Sequence, residues 1–146
     1  MKQLSKNTFY LLSWTWGLPM TFVGGVVMLV LMLAGKKPKK WGNCYYIEVG
    51  KDWGGLELGM FFLTSENPSR HTKCHEHGHA IQNCYLGFLM PFVVSIPSAI
   101  RYWNRKINYH DKGLNPPTEY DDIWFEGQAT KLGTEQWWGT VNEAQS

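Results

Sequence analysis

Five consecutive residues, 75 to 79, have the types and the spacing that zinc-dependent hydrolysis requires. The segment His75-Glu-His-Gly-His79 fits the pattern H-E-x-x-H. Positions i and i+4 of a helix share a face, so His75 and His79 can bind one ion while Glu76 lies beside the open coordination position. Two neutral imidazoles then hold the metal, and a carboxylate accepts a proton from water. The pattern therefore predicts a metal site with a neighbouring general base.

The residues around this motif indicate that it lies on a helix. Asn67 is predicted to cap the helix, with Pro68 in the first helical position. Gly78 leaves room for a close approach at the metal. Gln82 follows His75 by seven residues and therefore falls on the same helical face.

A catalytic zinc site needs a third protein ligand. His71 continues the i, i+4 stripe, but it would lie about 12 Å from His79 along the helix axis, too far to share one ion. The remaining candidates all follow the second apolar run of the chain, and they are His110, Asp111, Glu119, Asp121, Asp122 and Glu126.

Two motifs together resemble a known class of protein. The first is His-Glu-x-Gly-His-x-x-Gln at 75–82, and the second, after a proline-interrupted apolar stretch, is Trp-Phe-Glu-Gly-Gln-Ala-Thr-Lys-Leu-Gly at 124–133. From about residue 41 to 133 the chain resembles a group of small bacterial membrane proteins. In the two motifs alone it is similar to membrane gluzincins of the HtpX and CAAX-protease types, whose E-x-x-A glutamate completes a His2Glu zinc site.

The resemblance implies roles for particular residues. His75, His79 and Glu126 would bind Zn2+, and Glu76 would be the general base. The chain departs from the larger gluzincins at Thr130, where they have an aspartate that orients a metal-binding histidine; Asp121 or Asp122 can substitute for it. Residues expected around the ligands or the substrate are Gln82, Thr130, Asp122, Tyr120 and His110. Candidates for an oxyanion donor are Tyr109, His110 and Tyr120.

The cysteines offer a rival zinc site. His71, Cys74, His77 and Cys84 have ligand types that could form a closed structural site. Cys74 and Cys84 are ten residues apart, however, which is about 15 Å on one continuous helix. We therefore expect them to be small packing residues. The odd count of three cysteines also favours reducing surroundings.

The apolar residues of this 146-residue chain are clustered, which is typical of a membrane protein. Residues 7–35 contain no charge, and 19 of these 29 residues are apolar or aromatic. As a helix, Phe9 to Leu33 would be about 37 Å long against about 30 Å of hydrocarbon, which predicts a transmembrane helix. A cleaved signal peptide is the alternative, although residues 31–35 form a poor cleavage site. The lysines at 36, 37, 39 and 40 predict that this end faces the cytoplasm.

A second uncharged run, residues 80–100, is broken by Pro91 and Pro97. Each proline bends or ends a helix, so we predict a segment that enters the membrane and returns. A complete crossing would put His75 and Glu126 on opposite sides of the membrane. The Glu126 ligand therefore requires the return, and the metal is expected near the cytoplasmic interface.

The predicted fold class is a mainly α membrane protein with a small β-hairpin, in one domain over 1–146. Residues 44–49 and 56–63 are expected as the two strands of the hairpin, separated by a turn at 50–55. The domain divides into a transmembrane helix (7–35), the β-hairpin (41–66), an active-site helix with a membrane hairpin (67–107), a third-ligand helix (119–133) and a tail (134–146). Trp137 and Trp138 of the tail are expected either to fray or to anchor at the interface.

These patterns predict an integral zinc metallopeptidase of the bacterial plasma membrane. Its partners would be the lipid bilayer and a peptide or membrane-protein substrate, which could pair with the strand at 56–63. The net charge of +2 is too small to indicate nucleic-acid binding. Alternatives from other classes are a non-enzymatic membrane protein with a structural or decayed zinc site, favoured by Thr130, and a small toxin or immunity-type factor.

Overall fold

The computed structural model describes residues 4–135. This part of the chain is mainly helical with a small sheet, as predicted. Five α-helices are described: α1 (Lys6–Ser13), α2 (Leu18–Leu33), α3 (Arg70–Leu86), α4 (Ile96–Asn108) and α5 (Trp124–Glu135). The four strands are β1 (Lys39–Trp41), β2 (Cys44–Glu48), β3 (Gly55–Leu58) and β4 (Phe61–Thr64). The predicted tail from residue 136 onward, with Trp137 and Trp138, lies outside the described residues.

The prediction of one continuous helix over 7–35 is wrong. The run forms α1 and α2, whose axes meet at 87° across a break at residues 14–17. Pro19 lies in the first turn of α2, the place where a helix tolerates a residue without an N–H. Gly17 lies at the bend, and its carbonyl accepts a hydrogen bond of 3.2 Å from the Asn83 side chain, which ties the bend to α3.

Within the described chain, none of the helices is by itself both long and apolar enough to span a membrane. Two bent pairs meet the length and composition criterion only when their halves are taken together: α1 with α2, and residues 70–89 with residues 91–112.

The predicted β-hairpin is also wrong, because the segment contains a four-stranded sheet in the order β1-β2-β4-β3. The expected strand at 56–63 is cut in two by a turn at Gly59, whose φ of +72° favours glycine. As a result β2 pairs with β4 in parallel, while β3 pairs with β4 in antiparallel at the edge of the sheet. Gly59 also lies against the backbone of Thr21, which brings α2 onto this turn.

The active-site helix begins later than predicted. Ser69 is the N-cap of α3 and accepts a hydrogen bond of 3.1 Å from the Thr72 N–H. Asn67 has a φ of +55° and precedes the helix as part of the turn.

The chain bends sharply after α3, next to the first of the two prolines, whereas the membrane entry and return inferred from these prolines stays a prediction. Gly87 ends α3 with a φ of +55°, and the helical segments on either side of Met90 are bent by 115°. Pro91 begins the π-helical turn Pro91–Ser95 and Pro97 lies in the first turn of α4, so both prolines start helical segments.

Candidate metal centre

Helices α3 and α5 bring three metal-ligating groups together. His75 and His79 lie one turn apart on α3, and Glu126 lies in the first turn of α5. Oε2 of Glu126 is 3.0 Å from Nε2 of each histidine, and the two Nε2 atoms are 3.1 Å apart. All three side chains are buried. Among the described residues these three are the group of histidine, cysteine and acidic side chains that could hold a metal ion.

Glycines set the close packing of α3 against α5. A Cβ at Gly78 would overlap the carbonyl oxygen of Ala129, and a Cβ at Gly133 would overlap that of Cys74. The two helix backbones therefore touch directly on the flank of the site. The sequence reasoning gave Gly78 a role at the metal, whereas in the structure it makes room for the helix that carries Glu126.

The hydrogen bonds of His75 determine which ring nitrogen faces the cluster. Its Nδ1 is 2.8 Å from the hydroxyl of Thr130, and that hydroxyl donates at 2.7 Å to the carboxylate of Asp121. A hydroxyl has one proton to donate, so Thr130 must accept from the Nδ1–H of His75. In a neutral ring, Nε2 is then an unprotonated acceptor directed at Glu126.

His79 is oriented in the same sense by Gln82. Its Nδ1 is 2.7 Å from Oε1 of Gln82, and the amide group of Gln82 donates to the Phe125 carbonyl at 2.7 Å and to the Gln128 side chain at 3.0 Å. These donations fix the amide, so its oxygen accepts from His79. The Nε2 of a neutral His79 is therefore also an acceptor directed at the cluster.

Three buried atoms with free lone pairs, the two Nε2 atoms and Oε2 of Glu126, thus converge on one point. Such atoms are ligands for a metal ion, so this set fits one. Burial alone would lower the pKa of His79, but the hydrogen bond to Glu126 and the charges of Glu76, Glu126 and Glu57 raise that pKa to about 9. Burial would raise the pKa of Glu126, yet its hydrogen bonds to the two histidines hold that pKa well below its usual range. The site is therefore one that attracts positive charge, either a proton or a cation.

The second oxygen of Glu126 has its own partner on α4. The hydroxyl of Ser98 donates to Oε1 of Glu126 and lies 3.4 Å from the hydroxyl of Tyr120. Ser98 therefore leaves Oε2 as the oxygen shared with the histidines. Such contacts fix the orientation of a ligand and tune its affinity for metal.

Glu76 lies beside the histidines and is 5 % exposed. Its side chain packs against Gly55 of β3, where a Cβ would come within 2.6 Å of Oε1. Burial raises the pKa of Glu76, although the neighbouring His79 and His75 oppose this shift. A carboxylate with a raised pKa next to a metal-binding group is suited to accept and return a proton.

A cavity of about 450 Å³ opens onto this cluster. Its walls come from the loop before β3, from β3 itself, from α3 and from the segment 90–105, and it is lined by His75, Glu76, His79, Leu56, Glu57, Met90, Val94, Ser98, Tyr102, Trp103, Arg105 and Tyr120 among others. One edge of β3 is bonded to β4, so the other edge is free in the described sheet. The wall therefore includes an edge strand, and edge strands can pair with another backbone.

The remaining predicted residues divide between the site and its surroundings. Tyr120, Asp121 and His110 line the cavity, whereas Tyr109, Asp111 and Glu119 do not. Asp122 is not in the site, because its carboxylate accepts a 3.0 Å hydrogen bond from the Glu119 N–H within the turn that precedes α5. Asp121 makes the contact with Thr130 that the sequence left open between the two aspartates.

The rival cysteine site is not formed among the described residues. Cys74 and Cys84 are buried in the hydrophobic core, as expected for packing residues. The ring of His77 is stacked on Phe9 at a centroid distance of 5.9 Å, and burial lowers its pKa to about 3. His77 is a core residue on the face of α3 that points away from the cluster.

Sequence reasoning missed several polar residues that line the cavity, among them Ser98 and Glu57. Ser98 lies in the apolar run and carries no motif that marks it. Glu57 lines the cavity, is 5 % exposed and accepts a hydrogen bond from the Gly59 N–H; burial raises its pKa well above the usual range. An acidic residue within an otherwise apolar strand was the available signal for Glu57.

Comparison of the chain with protein-family models, with curated proteins and with solved structures finds no match.

Proposed function

We propose that the protein is a membrane-embedded, zinc-dependent metallopeptidase of gluzincin type. The observation that carries this proposal is the convergence of the acceptor atoms of His75, His79 and Glu126 behind a cavity whose wall includes both histidines and Glu76. Two imidazoles and one carboxylate form the usual ligand set of catalytic zinc in peptidases. The resemblance in the two sequence motifs supports the same assignment.

Each residue of the site has its own role in the proposed hydrolysis. His75, His79 and Glu126 would hold the ion, which when bound lowers the pKa of water to about 7 and polarises a carbonyl. The carboxylate of Glu76 accepts the proton of the attacking water and returns it to the leaving amine, so it begins and ends the reaction ionised. Ser98, Thr130 and Gln82 keep the three ligands in orientation.

Tyr120 is our choice for the oxyanion donor. Burial raises the pKa of its phenol, so the hydroxyl keeps its proton and can donate it. Its ring is 6.2 Å from that of His75 and the residue lines the cavity. Replacing Tyr120 with Phe is expected to lower kcat about 100-fold while zinc binding stays unchanged.

An extended peptide is the substrate that the cavity wall best accommodates. The free edge of β3 can add a strand by backbone hydrogen bonds, and β3 lies next to Glu76 through Gly55. Because backbone pairing does not depend on side chains, selectivity would come from the apolar lining residues. Of the two strands that form the segment predicted at 56–63, only β3 has a free edge, since β4 lies inside the sheet.

The membrane part of the proposal is supported by exposed apolar residues on α2. Seven of its side chains are between 48 and 81 % exposed: Phe22, Val23, Val26, Leu29, Val30, Met32 and Leu33. Without lipid, so large an apolar surface would face water. The lysines that follow α2 favour an orientation in the bacterial plasma membrane with the metal centre near the cytoplasmic face.

The test is metal content and peptide hydrolysis of the full chain, purified in detergent, beside two variants. Glu76→Gln should keep one equivalent of zinc and lose hydrolysis, because it removes the base and retains the shape. His75→Ala should lose both zinc and hydrolysis. Full activity in Glu76→Gln, or no zinc in the native protein, would refute the proposal. Bound zinc with no hydrolysis of a peptide library would favour the non-enzymatic alternative.

A further inference from the structure

Helix α4 exposes a stripe of apolar residues, and the polar residues that contact the metal site lie on its opposite side. Ile96, Ile100 and Ile107 lie on one outer face at helical spacing and are between 50 and 65 % exposed. Trp103, which is 56 % exposed, lies at the edge of this stripe and also lines the cavity. None of the residues of α4 is buried. A surface helix of a protein in water has the opposite arrangement, with its apolar stripe against the core.

The opposite side of α4 carries the polar contacts with the metal site. Ser98 donates to Glu126, and the guanidinium of Arg101 donates to the Tyr120 carbonyl at 3.0 Å. The guanidinium of Arg105 lies 5.5 Å from the centre of the Tyr120 ring. The helix is therefore joined to the site by polar groups, and its apolar outer face needs a separate partner.

We propose that α4 lies in the surface layer of the bilayer, with its outer face among the lipid acyl chains and its inner face closing the metal cavity. This inference rests on the membrane part of the proposed function. It adds that the wall carrying Ser98 is itself a lipid-contacting element.

The residues on and beside α4 favour a lipid surface as its partner. Between Glu76 and Asp111 the chain has no acidic residue, and its three basic residues, Arg101, Arg105 and Lys106, all lie on α4 beside the stripe. The two arginines contact Tyr120, and Lys106 lies 3.4 Å from Asp111, so within residues 77–111 no unpaired acidic group faces the lipid. An apolar stripe with a tryptophan beside basic side chains is typical of helices that lie in the plane of a membrane interface. A second copy of the chain would bring the same basic residues together and lacks this complementarity.

The apolar surface continues from α4 toward the N-terminal helices. Phe88, Leu89 and Phe92 are more than half exposed and precede the stripe of α4 along the chain. Trp16, in the bend between α1 and α2, contacts Phe88 at a ring distance of 5.3 Å. One lipid surface can therefore contact α2, the reversal after α3 and α4 together.

This placement links lipid contact to the metal centre. Ser98 reaches Glu126 only while α4 stays against the cavity, and the apolar outer face of α4 is stabilised there by lipid. Drawing α4 away from the bilayer should therefore loosen the Glu126 ligand and weaken metal binding.

The first experiment measures the depth of α4 in vesicles of equal parts phosphatidylcholine and phosphatidylglycerol that contain the full chain. Ile100→Cys carries a fluorescent label on the stripe, and Asn108→Cys carries it on the other flank of the same helix; the three native cysteines are buried. Lipids brominated in their acyl chains should quench the Ile100 label about twofold or more above the Asn108 label. Equal quenching would overturn the proposal, as would label-to-label contact at position 100 between two copies.

The second experiment measures zinc affinity in the same vesicles, with the metal alone as the probe. Ile100→Glu should weaken zinc binding by about 10-fold, which is the lower end of the loss expected when a contact that supports a ligand is removed. Asn108→Glu, the control, should leave zinc binding unchanged. Equal affinities in the two variants would refute the link to the metal centre. If the wild-type chain binds no zinc while the Ile100 label is quenched, the peptidase proposal fails and the placement of α4 stands.

Discussion

His75 and Thr130 are 55 positions apart in the chain, and their side chains share a hydrogen bond of 2.8 Å between Nδ1 and Oγ1. The Thr130 hydroxyl in turn donates a hydrogen bond of 2.7 Å to the carboxylate of Asp121, nine residues before it. The threonine at this position was the one departure from the gluzincin motifs. In the structure two successive hydrogen bonds connect the histidine to the threonine hydroxyl and the hydroxyl to the aspartate. They orient His75 as a direct aspartate contact would.

Replacing Thr130 with Val should test whether these two hydrogen bonds support zinc binding. Valine has nearly the same shape but cannot accept from His75 or donate to Asp121, so the imidazole loses its orientation. Zinc affinity is expected to fall about 10–100-fold, measured by competition with a chelating dye. Thr130→Ser keeps the hydroxyl and should stay within a few-fold of the wild type; equal losses in both variants would argue against the hydrogen bond as the cause.

Replacing Glu126 with Gln should remove most metal binding. The amide keeps the volume of the carboxylate but has no charge, and its nitrogen is a donor, so one of three ligands is lost. We expect a loss of zinc affinity greater than the roughly 10–100-fold that an outer contact contributes. Glu66→Gln changes the same charge in an exposed turn and should bind zinc normally. Unchanged affinity in Glu126→Gln would exclude this residue as a ligand.

Replacing Gly78 with Ala should separate the two helices of the site. The new methyl group would meet the Ala129 carbonyl, which is backbone and cannot rotate away. We expect thermal unfolding to show a loss of about 1–3 kcal/mol in the free energy of unfolding, together with weaker zinc binding. Gly25→Ala is the matched control, because its methyl group would find an ordinary contact at 3.7 Å from Phe61. A neutral Gly78→Ala would contradict the close helix packing.

Zinc affinity should rise with pH over the neutral range. In the metal-free protein the pKa of His79 is raised to about 9, from 6.5. The stability that its proton contributes is complete below the unfolded-state pKa and is lost as pH rises through about 9. Zinc must displace this proton, so its apparent affinity should rise about tenfold per pH unit between about pH 6 and about pH 8. His71→Ala should keep this slope, and a flat profile would indicate that His79 binds no proton in competition with zinc.

The local sequence determined the chemistry of the site. H-E-x-x-H sets His75 and His79 one turn apart on any α-helix, because the helical period is fixed by backbone geometry. The preference for helix in most of the chain could likewise be read from the sequence, and Pro91 marked the bend that follows α3. These features depend on residues within a few positions of one another.

Tertiary packing decided the features that depend on distant contacts. The break at Gly17 and the parallel pairing of β2 with β4 were not predicted, because the first depends on α3 and the second on which strands meet in space. The choice of Asp121 over Asp122 and the contact of Ser98 with Glu126 likewise needed the fold. No spacing along the chain reveals that Gly78 touches Ala129, and this backbone contact is what brings Glu126 to within 3.0 Å of the two histidines.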